Sequence, residues 1–334
     1  MELRPRLTPA IADVRRAVRE TLSKLNLVAG DTILVAVSGG GDSLALASAT
    51  IFEANKLKLN VAAAIIDHGL QQNSDVVAQN TKQVCKALGL EPVLVSRVSV
   101  TQAGAGLEAA ARNARYRELE NIRVQLYASY IFLGHNQGDQ AETVLLGLVR
   151  GSGLSAISGM REIDEERKLI RPLLGLTRSL LRQSVLDQGL EIWDDPQNLD
   201  EDFTRVKARR ILAELEVELA PGIAESLSRT ALLVQESEDY LLNQANQLML
   251  QVMTDGGYAI ELLAKAQIGL RRKTLHLIAL ANGAKSLSRS QVLEMDALVT
   301  NWHGQKPLSL SGITVERVNN QLVLLPGKPL NPGA

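Results

Sequence analysis

Thr32-Ile33-Leu34-Val35-Ala36-Val37 runs directly into Ser38-Gly39-Gly40-Gly41-Asp42-Ser43, and the reading of this stretch decides the fold. An uncharged, β-branched run of this length is a buried strand. Three glycines directly after it remove Cβ atoms where backbone N–H groups would have to approach an anion, and a helical pattern from Ser43 to Leu57 follows. Strand, glycine loop and helix N-terminus in that order make a phosphate cradle, to which Ser38 and Ser43 add hydroxyl donors. A strand-to-helix turn without a ligand is the alternative. The loop is neither a Walker A, which needs Gly-Lys-Ser/Thr, nor the G-x-G-x-x-G of dinucleotide folds. Asp42 would repel a phosphate unless a divalent cation bridges the two, which makes it the candidate Mg²⁺ ligand. Capping of the helix that follows is the other use of an aspartate here.

Upstream of the loop, residues 8–27 read as an amphipathic helix. Downstream, strand-like Val61–Ile66, helical Asp75–Leu88, strand-like Pro92–Val95, helical Leu107–Leu126, strand-like Tyr130–Leu133 and helical Asp139–Arg150 succeed one another. This alternation predicts an α/β fold with a doubly wound parallel sheet. It fades after Pro172, where a helix over Ser179–Gln188 leads to the turn-rich Trp193–Asp200. A boundary at Pro221-Gly222 divides a catalytic domain, 1–220, from a second, smaller, mainly helical domain, 221–334. The latter carries helical patterns over Ile223–Val252 and Gln267–Ala281, and a tail, Leu308–Leu325, expected to form a hairpin turning at Asn319-Asn320.

With 334 residues and 46% hydrophobic content the chain can bury more than one core. No stretch approaches the ~20 apolar residues of a membrane span, and the first residues lack the apolar run of a signal peptide. No membrane partner and a cytoplasmic location are therefore expected. Lys and Arg number 36 against 37 Asp and Glu, so a net charge of −1 gives no global attraction to nucleic acid, and any such site must be a local patch. Arg205, Lys207 and Arg209, beside Arg210, form one candidate; Arg271, Arg272 and Lys273 form another, for which a solvated helix face is the alternative. The one cysteine, Cys85, excludes an intrachain disulfide and a cysteine-built zinc cluster.

Asp139 and Glu142 lie three apart on one helix, so both carboxylates share a face suited to holding an ammonium group or taking its proton, although a solvated face would look the same. His135 follows a parallel strand at its carboxyl end, where ligands of open α/β sheets gather. Arg112 and Arg115, three apart on another helix, can pair with phosphates or stabilise charge on an activated base, or form surface ion pairs with Glu108 or Glu118. Asp67 ends the second strand and could contact nucleotide or metal, or cap a turn.

Ser-Gly-Gly-x-Asp-Ser after the first strand resembles the loop of the N-type ATP pyrophosphatases. Within that superfamily the chain is similar to the tRNA(Ile)-lysidine synthase family, because further blocks match in order. They are Asp67-His68-Gly69-Leu70 with Ser74, Glu108 with Ala111-Arg112 and Arg115-Tyr116, Gly134-His135 with Asp139-Gln140-Ala141-Glu142-Thr143, Arg150-Gly151-Ser152-Gly153, and Asp195-Pro196, Asn198, Asp200 and Phe203-Thr204-Arg205. The resemblance implies ATP and Mg²⁺ as cofactors, and L-lysine and the CAU-anticodon isoleucine tRNA as partners. ATP would adenylate the C2 oxygen of the wobble cytidine, and the lysine amine would displace AMP. It implies ATP contacts from Ser38, Gly39, Gly40, Gly41, Asp42, Ser43 and Asp67, catalytic roles for Asp42, Arg112, Arg115, His135, Asp139 and Glu142, and tRNA contacts from the second domain. A homodimer is left open. Gly138 stands where the family carries an acidic residue. Competing expectations are a tRNA thiolation enzyme of the same superfamily, which would commonly use paired cysteines, and a catalytically silent tRNA-binding protein.

Overall fold

A computed structural model describes residues 7–69, 73–98, 107–151, 153–195 and 203–327. Leu70, Ser152, Pro196, Asn198, Asp200 and the side chain of Glu108 lie outside the described residues. In chain order the first elements are α1 (Pro9–Ser23), β1 (Thr32–Ala36), α2 (Gly41–Lys56), β2 (Asn60–Asp67), α3 (Ser74–Ala87), β3 (Val93–Arg97), α4 (Leu107–Gln125), β4 (Tyr130–Phe132) and α5 (Gln137–Arg150). They are followed by α6 (Leu154–Ile157), β5 (Ile163–Asp164), β6 (Leu169–Ile170), α7 (Arg178–Leu186), α8 (Thr204–Glu218) and the long α9 (Ile223–Val252).

The six strands order as β3-β2-β1-β4-β6-β5. All neighbours are parallel except β5, which runs antiparallel to β6. Alternate residues of β1 explain why both faces are covered. Ile33 and Val35 point into a core with Val14 and Val18 of α1, Leu46 of α2 and Leu181 of α7, whereas Leu34 points into a core with Leu119 and Ile122 of α4. From β1 the chain builds outward to β2 and β3, then returns to lay β4 on the other side of β1. The switch point therefore lies between β1 and β4, and the crevice at their carboxyl ends is where such a sheet takes its ligand.

The doubly wound sheet matches the sequence reading. Before Pro172 the sheet gains β5 and β6, each two residues long, too short to leave a periodicity. Met1–Val234 and Gln235–Ala334 form two compact units that divide within α9. Ser228 of α9 donates to the Gln137 carbonyl at 3.2 Å, which ties the first turns of that helix to the first unit.

The second unit holds β7 (Met253–Thr254), β8 (Gly257–Ala259), α10 (Ile260–Lys265), α11 (Ile268–Ala281), α12 (Arg289–Thr300), β9 (Leu308–Leu310), β10 (Ile313–Val318) and β11 (Gln321–Pro326). The hairpin of the tail is present: Val318 pairs with Gln321, and Asn319 takes φ 54° in the turn. It belongs to an antiparallel sheet ordered β7-β8-β11-β10-β9, packed through Ile313, Val315 and Leu322 on Leu275, Ile278, Met295 and Leu298 of the helices. Among the described residues no helix is long and apolar enough to cross a membrane.

Candidate active site

The glycine loop sits at the carboxyl end of β1. Gly39 has φ +87°, and a Cβ there would meet the Thr81 hydroxyl at 2.6 Å, so the position accepts only glycine. The Ser43 hydroxyl accepts from the Ser38 backbone N–H at 3.1 Å and donates to the Gly40 carbonyl at 2.9 Å, closing the loop on itself. Gly40 is the N-cap of α2 and offers no side-chain cap, which leaves the first N–H groups of a 16-residue helix pointing at the cradle. Asp42 is therefore not the cap. It lies in the first turn of α2, where its Oδ2 accepts from Asn136 Nδ2 at 2.9 Å and lies 3.6 Å from Arg178 Nε.

Opposite the loop, Gly134 and His135 leave the end of β4. A Cβ on Gly134 would fall 3.0 Å from the Asp42 carbonyl, so this glycine is what lets the two strand ends close up. Asn136 caps α5: its side chain accepts from Asp139 N–H at 3.1 Å, and Asp139 Oδ2 accepts from Asn136 N–H at 2.9 Å. Asp139 thus completes a capping box while its partner Asn136 holds Asp42. A Cβ at Gly138 would come within 3.1 Å of Asn136 Oδ1, so the departure at 138 leaves that cap uncrowded.

A cavity of about 430 Å³ opens between these ends. Its walls include Ser38, Gly40–Ser43, Asp67, His68, Arg115, His135, Arg178, Arg182 and Trp193–Asp195. Asp67 accepts from Gly69 N–H at 2.8 Å, so it caps its turn and also lines the cavity. The Nδ1 atoms of His68 and His135 and the Nε of Arg115 are buried there without a hydrogen-bond partner. Such atoms are costly unless a ligand satisfies them.

Electrostatics divide the cavity. Burial pushes the Asp42 carboxyl up, and nearby Asp139 adds to this against the pull of Arg178. His135 is held well below the usual imidazole range by burial and then by Arg171, Arg115, Arg112 and Arg205, so it is neutral at pH 7. Burial alone would raise the Tyr116 phenol, but Arg112, Arg115 and Arg171 outweigh it and bring it down. One side of the cavity wants a cation and the other an anion.

The remaining candidate residues are brought together unevenly. Glu142 is buried, and Arg209 Nε donates to it at 2.7 Å while Arg205 Nη1 lies 3.6 Å away. The acidic pair thus faces guanidinium groups of α8, and the expected patch Arg205, Lys207, Arg209 splits: only Lys207 is exposed. The ion pair of Arg112 or Arg115 with Glu118 is absent, because Glu118 accepts from Ser96 at 2.6 Å and Asn121 at 3.0 Å. In the second unit Arg271, Arg272 and Lys273 do not form an open basic strip. Arg271 Nε and Arg272 Nε donate to Asp296 at 2.6 and 2.9 Å, and Lys273 bonds Glu238. Sequence reasoning missed Asn136, whose Asn-x-x-Asp spacing carries a capping signal, and Arg171, Arg178 and Arg182, whose elements are short or lie after the alternation fades.

The PP-loop domain family matches residues 12–216, and the TilS substrate binding domain family matches residues 259–323. The tRNA(Ile)-lysidine synthase of Leifsonia xyli subsp. xyli is 45% identical over 306 residues, covering 90% of this chain and 91% of that protein. This chain belongs to the tRNA(Ile)-lysidine synthase family. The lysidine synthase of Rhodococcus erythropolis is 42% identical, with 92% of each chain covered. Among solved structures, the U34-tRNA thiolase NcsA from Methanococcus maripaludis aligns with a TM-score of 0.57 at 18% identity, covering 68% of this chain and 80% of that one, a likeness of fold. For a lysidine synthase family member, an ATP-using cradle at the switch crevice is the expected placement of the PP-loop. Cys85 is fully buried with its thiol pushed up to about 11 by burial, so it offers no thiolate for sulfur transfer.

Proposed function

We propose that this chain ligates L-lysine to C2 of the wobble cytidine, position 34, of the CAU-anticodon isoleucine tRNA. The support that carries the reading is the pairing, on one chain, of the PP-loop domain with the TilS substrate binding domain and with relatives of that activity along nine-tenths of its length.

Backbone N–H groups of Gly39–Gly41 and the start of α2 bind the β- and γ-phosphates, with Ser38 and Ser43 fixing the loop. The C2 oxygen of the cytosine attacks the α-phosphorus, and pyrophosphate leaves. The neutral side-chain amine of lysine then attacks C2, AMP leaves from the same carbon, and the amine proton passes to a carboxylate. Arg115 lies on the cavity wall, where it can balance charge that develops on the activated base. His135, neutral and with a free ring nitrogen, can accept or donate one hydrogen bond to the base. Asp139 and Glu142 supply the negative charge for the ammonium end of lysine, in competition with Arg209.

Mg²⁺ fits the residues present. Asp42 carries a carboxylate whose burial favours a bound cation, and among the described residues no group of three or more acidic, histidine or cysteine side chains is built to cage a metal. A hard cation held by one carboxylate and the nucleotide phosphates suits that set. When bound it neutralises phosphate charge; Asp42 would hold it.

Release of labelled pyrophosphate from ATP tests this reading. It should require the tRNA, and net lysidine should require lysine as well. Release that ignores the tRNA, or sulfur entering the tRNA in place of lysine, would overturn it.

A further inference from the structure

Arg171 directly follows β6 and is 5% exposed, yet it has no carboxylate partner among the described residues. Its Nη1 donates to the Arg161 carbonyl at 2.8 Å, a side-chain bond links it to Tyr116, and its Nε is buried without a partner. Two further guanidinium groups crowd the same phenol: Arg112 and Arg115 lie 5.2 and 5.4 Å from the Tyr116 ring centroid. Neither has a carboxylate partner among the described residues. Other cations of this unit are treated differently. Arg205 and Arg209 share Glu142, Arg123 has Glu120 and Lys56 has Glu53.

Three partly or fully desolvated guanidinium groups around one tyrosine repel one another, and leaving buried charge uncompensated is costly. The field they create is felt at His135, where Arg171 is the leading charge. A site that keeps such an excess positive charge at the carboxyl end of a sheet is built to receive an anion. The triphosphate of ATP already has its cradle at β1. β6 stands two strands away in the order β1-β4-β6, about 10 Å at the usual strand spacing. Of the three, Arg115 alone lines the cavity of the cradle, and Arg112 and Arg171 lie outside its lining, so the cluster extends beyond the ATP site toward a second phosphate.

We propose that Arg112, Arg115 and Arg171 form a phosphate subsite that takes a backbone phosphodiester of the RNA strand beside the cytidine being modified. The inference rests on the proposed function, which supplies the RNA. Arg115 lines the cavity and touches the phosphate; Arg171, behind it and more deeply buried, acts as a positioning residue through Tyr116 and through its charge.

Binding of an anticodon stem-loop RNA carrying CAU, measured against salt concentration for Arg171→Gln, Arg171→Lys and Arg112→Gln, tests it. For Arg171→Gln we expect RNA affinity to fall about tenfold and the slope of log K against log salt to drop by about 1. ATP affinity and thermal unfolding should stay as in the wild type. Arg171→Lys should recover most of the slope, which a purely packing role would not, and Arg112→Gln should weaken RNA in the same direction. Unchanged RNA affinity and slope in both glutamine variants would overturn the inference. So would a loss of ATP affinity with RNA binding kept, because the cluster would then serve the nucleotide. If the wild-type chain itself does not bind the stem-loop, the proposed function falls first and the inference with it.

Discussion

Asp42 carries a charge that its surroundings resist. Its folded pKa lies above the unfolded value, so the stability it contributes belongs to the protonated form and is lost as pH rises through the folded pKa. Asp42→Asn removes that cost at neutral pH and keeps the Asn136 contact. The variant should melt no lower than the wild type and yet release no pyrophosphate; normal release would mean that Asp42 holds no metal. His135 has the opposite sign. Its folded pKa is depressed, so below the ordinary imidazole value the unfolded chain binds a proton that the native chain refuses, and stability falls on acidification. In His135→Asn, the loss of unfolding free energy between pH 6.5 and the depressed native value should shrink by up to ~1.4 kcal/mol per pH unit, read from denaturant titrations. An unchanged slope would show that His135 is protonated in the native state. Glu142→Gln keeps size but not charge; single-turnover assays should show pyrophosphate before, or without, lysidine. Equal loss of both steps would move the pair to the nucleotide site. Single residues were partly legible in the sequence. The glycines and Asp42 stand out because they fall between a buried strand and a helix start, where a phosphate cradle would need them. Arg171 was silent, because the two residues of β6 before it carry no period and its meaning lies in what it lacks.

At the level of elements, two glycines that read alike have different work. Gly134 lets the end of β4 touch the loop after β1, and Gly147 lets α5 touch α6, where a Cβ would overlap the Ala156 carbonyl. Gly147→Ala should therefore be a folding lesion, destabilising by ~1–3 kcal/mol from overpacking. Gly134→Ala meets backbone at 3.0 Å and should shift the loop, losing pyrophosphate release with a smaller drop in melting temperature. If the two variants have the same ratio of activity loss to stability loss, β4 does not position the cradle. Elements β1 to α5 were readable because the helices are long enough to show their period and β1 and β2 are continuous buried runs, while three-residue β4 was readable from the apolar run Tyr130–Leu133 that contains it. β5, β6, β7 and β8 were not, since strands of two or three residues are defined by their partners and not by their own sequence.

Across the whole molecule, charge pairing decides which basic residues can meet RNA. Arg271 and Arg272 share one buried aspartate, Asp296, whose carboxyl is held below its usual range by their hydrogen bonds against the opposing push of burial. Arg271→Ala would leave that carboxylate without its innermost partner and should destabilise the second unit by ~3–5 kcal/mol, so a drop in RNA binding there would report unfolding. Lys285 and Arg289 are exposed and have no carboxylate partner among the described residues. Replacing both with glutamine should lower the salt slope of tRNA binding by about 2 and leave melting unchanged; an unaltered slope would place the RNA on another face. The basic run 271–273 was visible in the sequence, but its partners, Asp296 and Glu238, lie 23 or more positions away and only the fold joins them. Lysidine formation is a covalent change in RNA, and mass spectrometry of the CAU isoleucine tRNA after incubation with the protein, ATP, Mg²⁺ and lysine reads it directly. A mass gain of one lysine less one water on the wobble cytidine is the predicted result; an unmodified cytidine in the presence of all four components would contradict it.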